Sequence, residues 1–157
     1  MPAWGTAVLA SAIAAVVSFV LSLVLSWARE RAERQRKRNL LKRKTGRIVR
    51  RDFGLIDDYY LGRVEEEDLV RDLCSRELDE LIITSEELWP ELSEALAAYR
   101  DTLLAFRRVH PIIFAKDTDP KCAADPVVEA AHEVLDIAGL QRVNLEPWEA
   151  PGASPTS

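Results

Sequence analysis

Apolar positions along this chain change their rhythm once, close to residue 28. From Met1 to Ala28 no side chain is charged, and a hydrocarbon core about 30 Å thick needs about 20 residues of apolar helix. The stretch from Trp4 to Trp27 meets that length and predicts a transmembrane helix. At about 1.5 Å rise per residue the two tryptophans stand roughly 35 Å apart, one for each membrane–water interface. A cleaved signal peptide is the competing reading, since Ser26-Trp27-Ala28 has the small-x-small form of a cleavage site. Against it, Met1-Pro2-Ala3 carries no Lys or Arg, and the apolar run exceeds the roughly 7–15 residues of a signal core.

Within the span the residues divide by size. On a wheel of about 100° per residue, Ala7, Ala10, Ser11, Ala14, Ala15, Ser18, Ser22 and Ser26 share an arc of roughly 160°, while Ile13, Val17, Phe19, Val20 and Val24 lie opposite. Ala10, Ala14, Ser18, Ser22 and Ser26 form an unbroken small-xxx-small ladder, a candidate helix-packing face through which the span could pair with itself or another spanning helix. Leu21 and Leu25 intrude on the arc and no Gly-xxx-Gly occurs, so a plain anchor of Ala/Ser-rich composition is the simpler alternative.

Beyond residue 46 the apolar spacing is helical nearly throughout, with no alternating run that predicts a strand. Val49, Phe53, Ile56 and Tyr60 recur at helical intervals, with Gly54 a weak point and Gly62 a stop. Val70, Leu73, Cys74, Leu78, Leu81 and Ile82 make a second stripe behind the acidic run Glu65–Asp68, which suits a helix N-terminus. Thr84 and Glu87 offer a capping box for a third helix with the seam Trp89, Leu92, Leu96, Tyr99, Leu103 and Phe106, unless Pro90 delays the start to its own position. His110-Pro111 is expected to end that helix. Asp125-Pro126 is expected to open a last one, with Val128, Ala131, Val134, Leu135 and Ala138 inward and Gly139 at its stop. The fold class that follows is all-α: one N-terminal transmembrane helix, then a small cytoplasmic bundle of about four helices. The expected divisions are an anchor over 1–28, a basic juxtamembrane helix over 29–45, an acidic helical domain over 46–143 and a disordered tail over 144–157, where prolines are frequent.

Charge adds orientation. Between Arg29 and Arg51 there are 12 Lys and Arg against Glu30 and Glu33, a formal +10; from Asp52 onward 9 basic residues face 24 acidic ones, a formal −15, and the sum is the chain's −5. Positive charge on one side of a single span places that side in the cytoplasm and the short uncharged N-terminus outside. Glu30–Arg34 and Glu33–Lys37 are favourable i,i+4 pairs, so the membrane helix is expected to continue past Ala28. Arg29, Arg31, Arg34, Arg36, Lys37 and Arg38 are the charges nearest the surface and could also hold anionic lipid headgroups. Nucleic acid is not an expected partner, because no aromatic precedes Phe53 in the basic block. Arg outnumbers Lys 16 to 5, a bias of GC-rich coding that points to a bacterial source.

Candidate chemistry is sparse. Glu129 and His132 have the Glu-x-x-His spacing of di-iron bundles, but such sites need two of these motifs, and the chain has only His110 and His132. Asp117-Thr118-Asp119 reads as a turn, and Cys74 reads as a buried small hydrophobe. Neither a metal, a cofactor nor an enzymatic activity is expected. A single-pass membrane protein whose helical module binds an unidentified protein, as adaptor, assembly factor or regulator, is the reading this pattern favours. The alternative is a small membrane-disrupting or pore-associated protein, such as a phage lysis accessory.

Overall fold

The computed structural model describes the backbone of residues 4–73, 76–113 and 121–145 and the side chains of 13–73, 76–108 and 123–145. Five helices follow in order: α1 (Trp4–Tyr60), α2 (Glu66–Asp72), α3 (Arg76–Glu86), α4 (Pro90–Ile113) and α5 (Lys121–Ile137). No strand occurs among the described residues. The chain divides into two compact units, Met1–Asn39 and Leu40–Ser157, and α1 contributes to both.

In the first unit one helix is long and apolar enough to cross a membrane, and every side chain from Ile13 to Leu40 is exposed. The second unit is an all-α bundle. From Leu41 onward α1 becomes amphipathic and buries Leu41, Ile48, Val49, Phe53 and Ile56. Helix directions alternate, as polar contacts along each pair show. Arg47 and Arg51 of α1 meet Glu77 near the start of α3, whereas Leu41 and Thr84 line the other end of the same groove. Asp79 meets Arg100, and the Ile82 carbonyl accepts from Ser93, so α4 runs back along α3. At the end of α5, Gly139 lies against Lys42 and a Cβ on Gly46 would meet Leu140 at 3.1 Å. The second unit is therefore an up-down-up-down bundle of α1, α3, α4 and α5, with α2 in the first connection. Ala124 and Ala131 on α5, and Ala138 just after its end, are buried in the bundle.

Both glycine stops are present. Gly62 and Gly139 have φ of +68° and +59°. In each case the next amide reaches back five residues, Arg63 N–H to Asp58 and Leu140 N–H to Leu135, while the glycine N–H bonds Tyr59 or Asp136. This is the Schellman closure, and it requires a left-handed residue that glycine supplies without a Cβ clash. The predicted seam of α4 is also found: Leu92, Leu96, Tyr99, Leu103 and Phe106 are buried and Trp89 is half-buried.

Four local expectations need correction. The single helix drawn through the stripe from Val70 to Ile82 is two helices, because Leu73 is extended (φ −68°, ψ 146°). On one straight helix Leu69 and Leu78 would point about 180° apart; the break lets both enter the core, where each is 1% exposed, while Val70 is only half-buried. No capping box forms at Thr84, which lies inside α3 and donates its hydroxyl to the Glu80 carbonyl; α4 starts at Pro90 instead, the delayed alternative. His110-Pro111 does not end α4, which continues to Ile113. Proline there costs the one bond its missing N–H would have made, a small loss within a final turn. Asp125-Pro126 does not open α5, which begins at Lys121 with Pro126 inside; packing of the whole of α5, Ala124 at 0% exposure included, keeps the preceding turn in the helix. Cys74, the Asp117–Asp119 turn and the tail beyond Leu145 lie outside the described residues.

Truncating the α4 seam tests this core. Leu96→Ala and Leu103→Ala should each cost about 2–5 kcal/mol, and the double variant should lose its cooperative thermal transition in detergent. Gly54 is exposed, with open space where a Cβ would stand, so Gly54→Ala should raise stability by about 0.5–1 kcal/mol in the same melt. Unchanged melting of the leucine variants would show that those side chains do not hold the monomer together.

Candidate functional site

Two features carry polar chemistry in an unusual setting: the end of the exposed apolar run in the first unit, and a buried carboxylate in the second. In the first, Trp27 is 60% exposed, and the Arg31 guanidinium stacks over its ring at 4.9 Å from the centroid. Such a contact holds the cation beside the indole rather than away in solvent. Arg34 pairs with Glu30 one turn earlier; the second expected pair, Glu33 with Lys37, is not closed, as suits an exposed pair worth only a few tenths of a kcal/mol. Arg29, Arg36, Lys37 and Arg38 are all exposed.

On the small-residue face Ala14, Ser18, Ser22 and Ser26 are exposed, and the Ser22 hydroxyl donates to the Phe19 carbonyl at 2.7 Å. That serine is satisfied within its own helix and needs no partner helix to be stable in lipid. The side chains of Trp4 and Ala10 lie outside the described residues.

The buried carboxylate is Asp52, and it was missed in the sequence. It lies at 0% exposure on the apolar face of α1 among Val49, Phe53 and Ile56. Tyr99, itself fully buried, donates its hydroxyl to Asp52 at 3.3 Å, and Arg51 donates to the other oxygen at 3.1 Å. Arg51 also reaches Glu77, so the chain of contacts crosses α4, α1 and α3. Removal from water dominates and pushes the Asp52 pKa up to about 6, with the Arg51 and Tyr99 hydrogen bonds opposing. About two turns earlier, Thr45 is also fully buried and its hydroxyl has no hydrogen-bond partner. The spacing 49, 52, 53, 56 was the available signal, because it places an acid inside an otherwise apolar stripe.

Elsewhere the polar groups do structural work. His132 Nε2 lies 2.9 Å from the Val143 carbonyl, which can only accept, so the ring donates there and ties down the segment after α5. Arg142 bonds Asp136 through two nitrogens and holds its carboxyl below the usual carboxylate range. Among the described residues no three His, Cys, Asp or Glu side chains gather as a metal set. A groove of about 160 Å³ between α1 and α3 is lined by Leu41, Ile48 and Leu81 with Lys44, Arg47, Glu77, Glu80 and Thr84, a mixed wall in which Arg47 pairs with Glu77. No family model, curated protein or solved structure matches this chain.

The Asp52 environment gives a signed pH dependence. Because its folded pKa lies above the unfolded value of 3.8, the folded state holds the proton more tightly between about pH 4 and 6. Its contribution to stability is present below pH 4 and is lost as pH rises through 6. Asp52→Asn removes the charge and keeps a carbonyl acceptor for one of the two donors, Tyr99 or Arg51. Relative to that variant, the wild type should lose roughly 2–3 kcal/mol between pH 4 and 7, read as diverging melting temperatures. Parallel pH profiles would show that Asp52 is solvated.

Proposed function

We propose that this chain is a single-pass membrane protein that holds an acidic helical interaction module at the cytoplasmic face. The observation that carries the reading is the run from Ile13 to Trp27, in which every side chain is exposed and none is charged. Ile13, Val16, Phe19, Val20, Leu23 and Val24 are each at least half exposed, an apolar surface far beyond what a soluble monomer leaves in water. A core helix of a soluble fold buries such residues, and this helix buries none of them.

The topology rests on the basic flank. Arg29, Arg31, Arg34, Arg36, Lys37 and Arg38 follow the apolar run at once, on one side only, and favour a cytoplasmic C-terminal side. The same cations are suited to anionic headgroups, each contributing about 1 kcal/mol near the surface. Trp27, with Arg31 stacked on it, suits the headgroup level. For the module itself, a small bundle with a closed core and no convergent site fits contact with another protein better than chemistry on a small molecule.

Two measurements test this. The full chain should stay with membranes through carbonate extraction, and a reporter fused after Ser157 that works only in the cytoplasm should be active while one that works only outside should be silent. Exchanging the six flanking cations for Gln should weaken that bias. A chain released by carbonate would remove the anchor, and the opposite reporter pattern would reverse the topology.

A further inference from the structure

The outermost arcs of α1 and α5 carry opposite charge. On α1, within the bundle unit, Arg43, Arg47 and Arg50 follow at i, i+4 and i+7 and are exposed. On α5, Asp125, Glu129, Glu133 and Asp136 follow at i, i+4, i+8 and i+11 and are exposed as well. At about 1.5 Å per residue the arginines cover about 10 Å of helix and the carboxylates about 16 Å, so the longer acidic row can span the arginine row.

These rows also stand apart in how they are partnered. In this unit Arg51, Arg63, Arg71, Arg76, Arg100 and Arg142 all find carboxylates. Arg43 and Arg50 make no ion pair among the described residues, and neither do Glu129 and Glu133. In a unit with a large excess of acid, Arg43 and Arg50 are left over on the outermost face of α1, as are Arg107 and Arg108 on α4, while Arg47 between them reaches Glu77 at 3.8 Å and Asp136 of the α5 row is held by Arg142.

We propose that two copies of this chain dock bundle to bundle, the arginine row on α1 of each lying against the carboxylate row on α5 of the other. The two helices are neighbours, since Gly46 approaches Leu140 and Lys42 approaches Gly139. A single two-fold axis can therefore satisfy both rows at once, which is the condition for a closed, self-complementary interface. Charge complementarity selects the occupant. A lipid surface or any other polyanion would take the arginines and be repelled by the carboxylates beside them; a second copy presents both signs on adjacent helices. The pairing is of the kind that sets partner choice along exposed edges of helix bundles, weak per pair and sensitive to salt. It stands whether or not the apolar run is in a membrane, although anchoring would raise the effective concentration of one bundle around another.

The test uses full-length chains in detergent micelles, co-expressed with two different tags and captured through one of them. One variant carries Arg43→Glu, Arg47→Glu and Arg50→Glu; a second carries Glu129→Lys, Glu133→Lys and Asp136→Lys. Helical content and melting are read alongside, and Asp125→Lys with Glu129→Lys and Glu133→Lys serves where loss of the Asp136–Arg142 pair disturbs folding. Wild-type chains should capture each other, and either variant alone should capture itself about ten-fold less, because the facing rows then carry like charge and attraction becomes repulsion. The two variants mixed should capture each other at close to the wild-type level, since each supplies the charge the other has lost, and 0.5 M salt should reduce both successful pairings. Wild-type chains that do not associate overturn the proposal. Association unchanged by both reversals, which would place the contact in the span, overturns it too, as does a mixture no better than its separate parts.

Discussion

The bundle depends on a change of patterning along one helix. Up to Leu40, α1 carries apolar or charged side chains all round and buries none of those described; from Leu41 it turns one stripe inward, and Val49, Phe53 and Ile56 become almost inaccessible. The change is one of patterning alone, since the backbone remains α-helical to Tyr60. Hydrophobicity in one direction gives an element that needs other helices, and hydrophobicity in all directions gives one that needs another medium. Helices α3, α4 and α5 supply the first need. Their inward residues are mostly Leu, with Ala on α5.

Asp52 departs from that logic at the most buried point of α1. A carboxylate without water costs several kcal/mol unless hydrogen bonds replace hydration, and here Tyr99 and Arg51 replace only part of it, as the raised pKa records. An apolar residue in its place would leave the Tyr99 hydroxyl to find another acceptor inside the core. Asp52 thus ties the register of α1 to that of α4: a slip of one residue would bring Arg51 or Phe53 against that hydroxyl. Specificity gained at the expense of stability is a known use of buried polar contacts, and it accounts for an acid that burial alone would disfavour.

Much of the architecture was legible because it depends on periodicity. The apolar run, the α4 seam from Leu92 to Phe106 and the glycine stops at Gly62 and Gly139 were all readable from spacing and residue type. The failures cluster where a local rule met tertiary packing. Proline marked boundaries at Pro111 and Pro126, yet both lie within helices: Pro111 falls in a final turn, and the roughly 3 kcal/mol that an interior proline costs is offset at Pro126 by packing of the whole of α5 and not by any one residue. The break at Leu73 was invisible for the opposite reason: nothing in its chemistry demands an extended residue, and only the requirement that Leu69 and Leu78 share one core forces the turn. Asp52 was hidden in a different way. Acid counts placed it among 24 surface charges, and only its position within the stripe of α1 distinguishes it from them.

Electrostatics shows the same limit from the other side. Block charges of +10 and −15 are read at once from composition, and up to about Arg38 the positive block flanks the exposed apolar run. Arg43, Arg47 and Arg50 belong to the bundle and stand on the face of α1 turned away from its core, so they are surface charges of a domain whose other surface is acidic. Within one molecule the acid pairs arginines across interhelical seams, as with Arg51 and Arg100 against Glu77 and Asp79, and locally along the chain, as with Arg71, Arg76 and Arg142. On the outermost arc Arg47 reaches Glu77 while Arg43 and Arg50 form no ion pair among the described residues, and the outward carboxylates Asp125, Glu129 and Glu133 of α5 form none either. Complementary rows on the outside of one small bundle are fully used only between molecules, because intramolecular geometry has already assigned every interior seam.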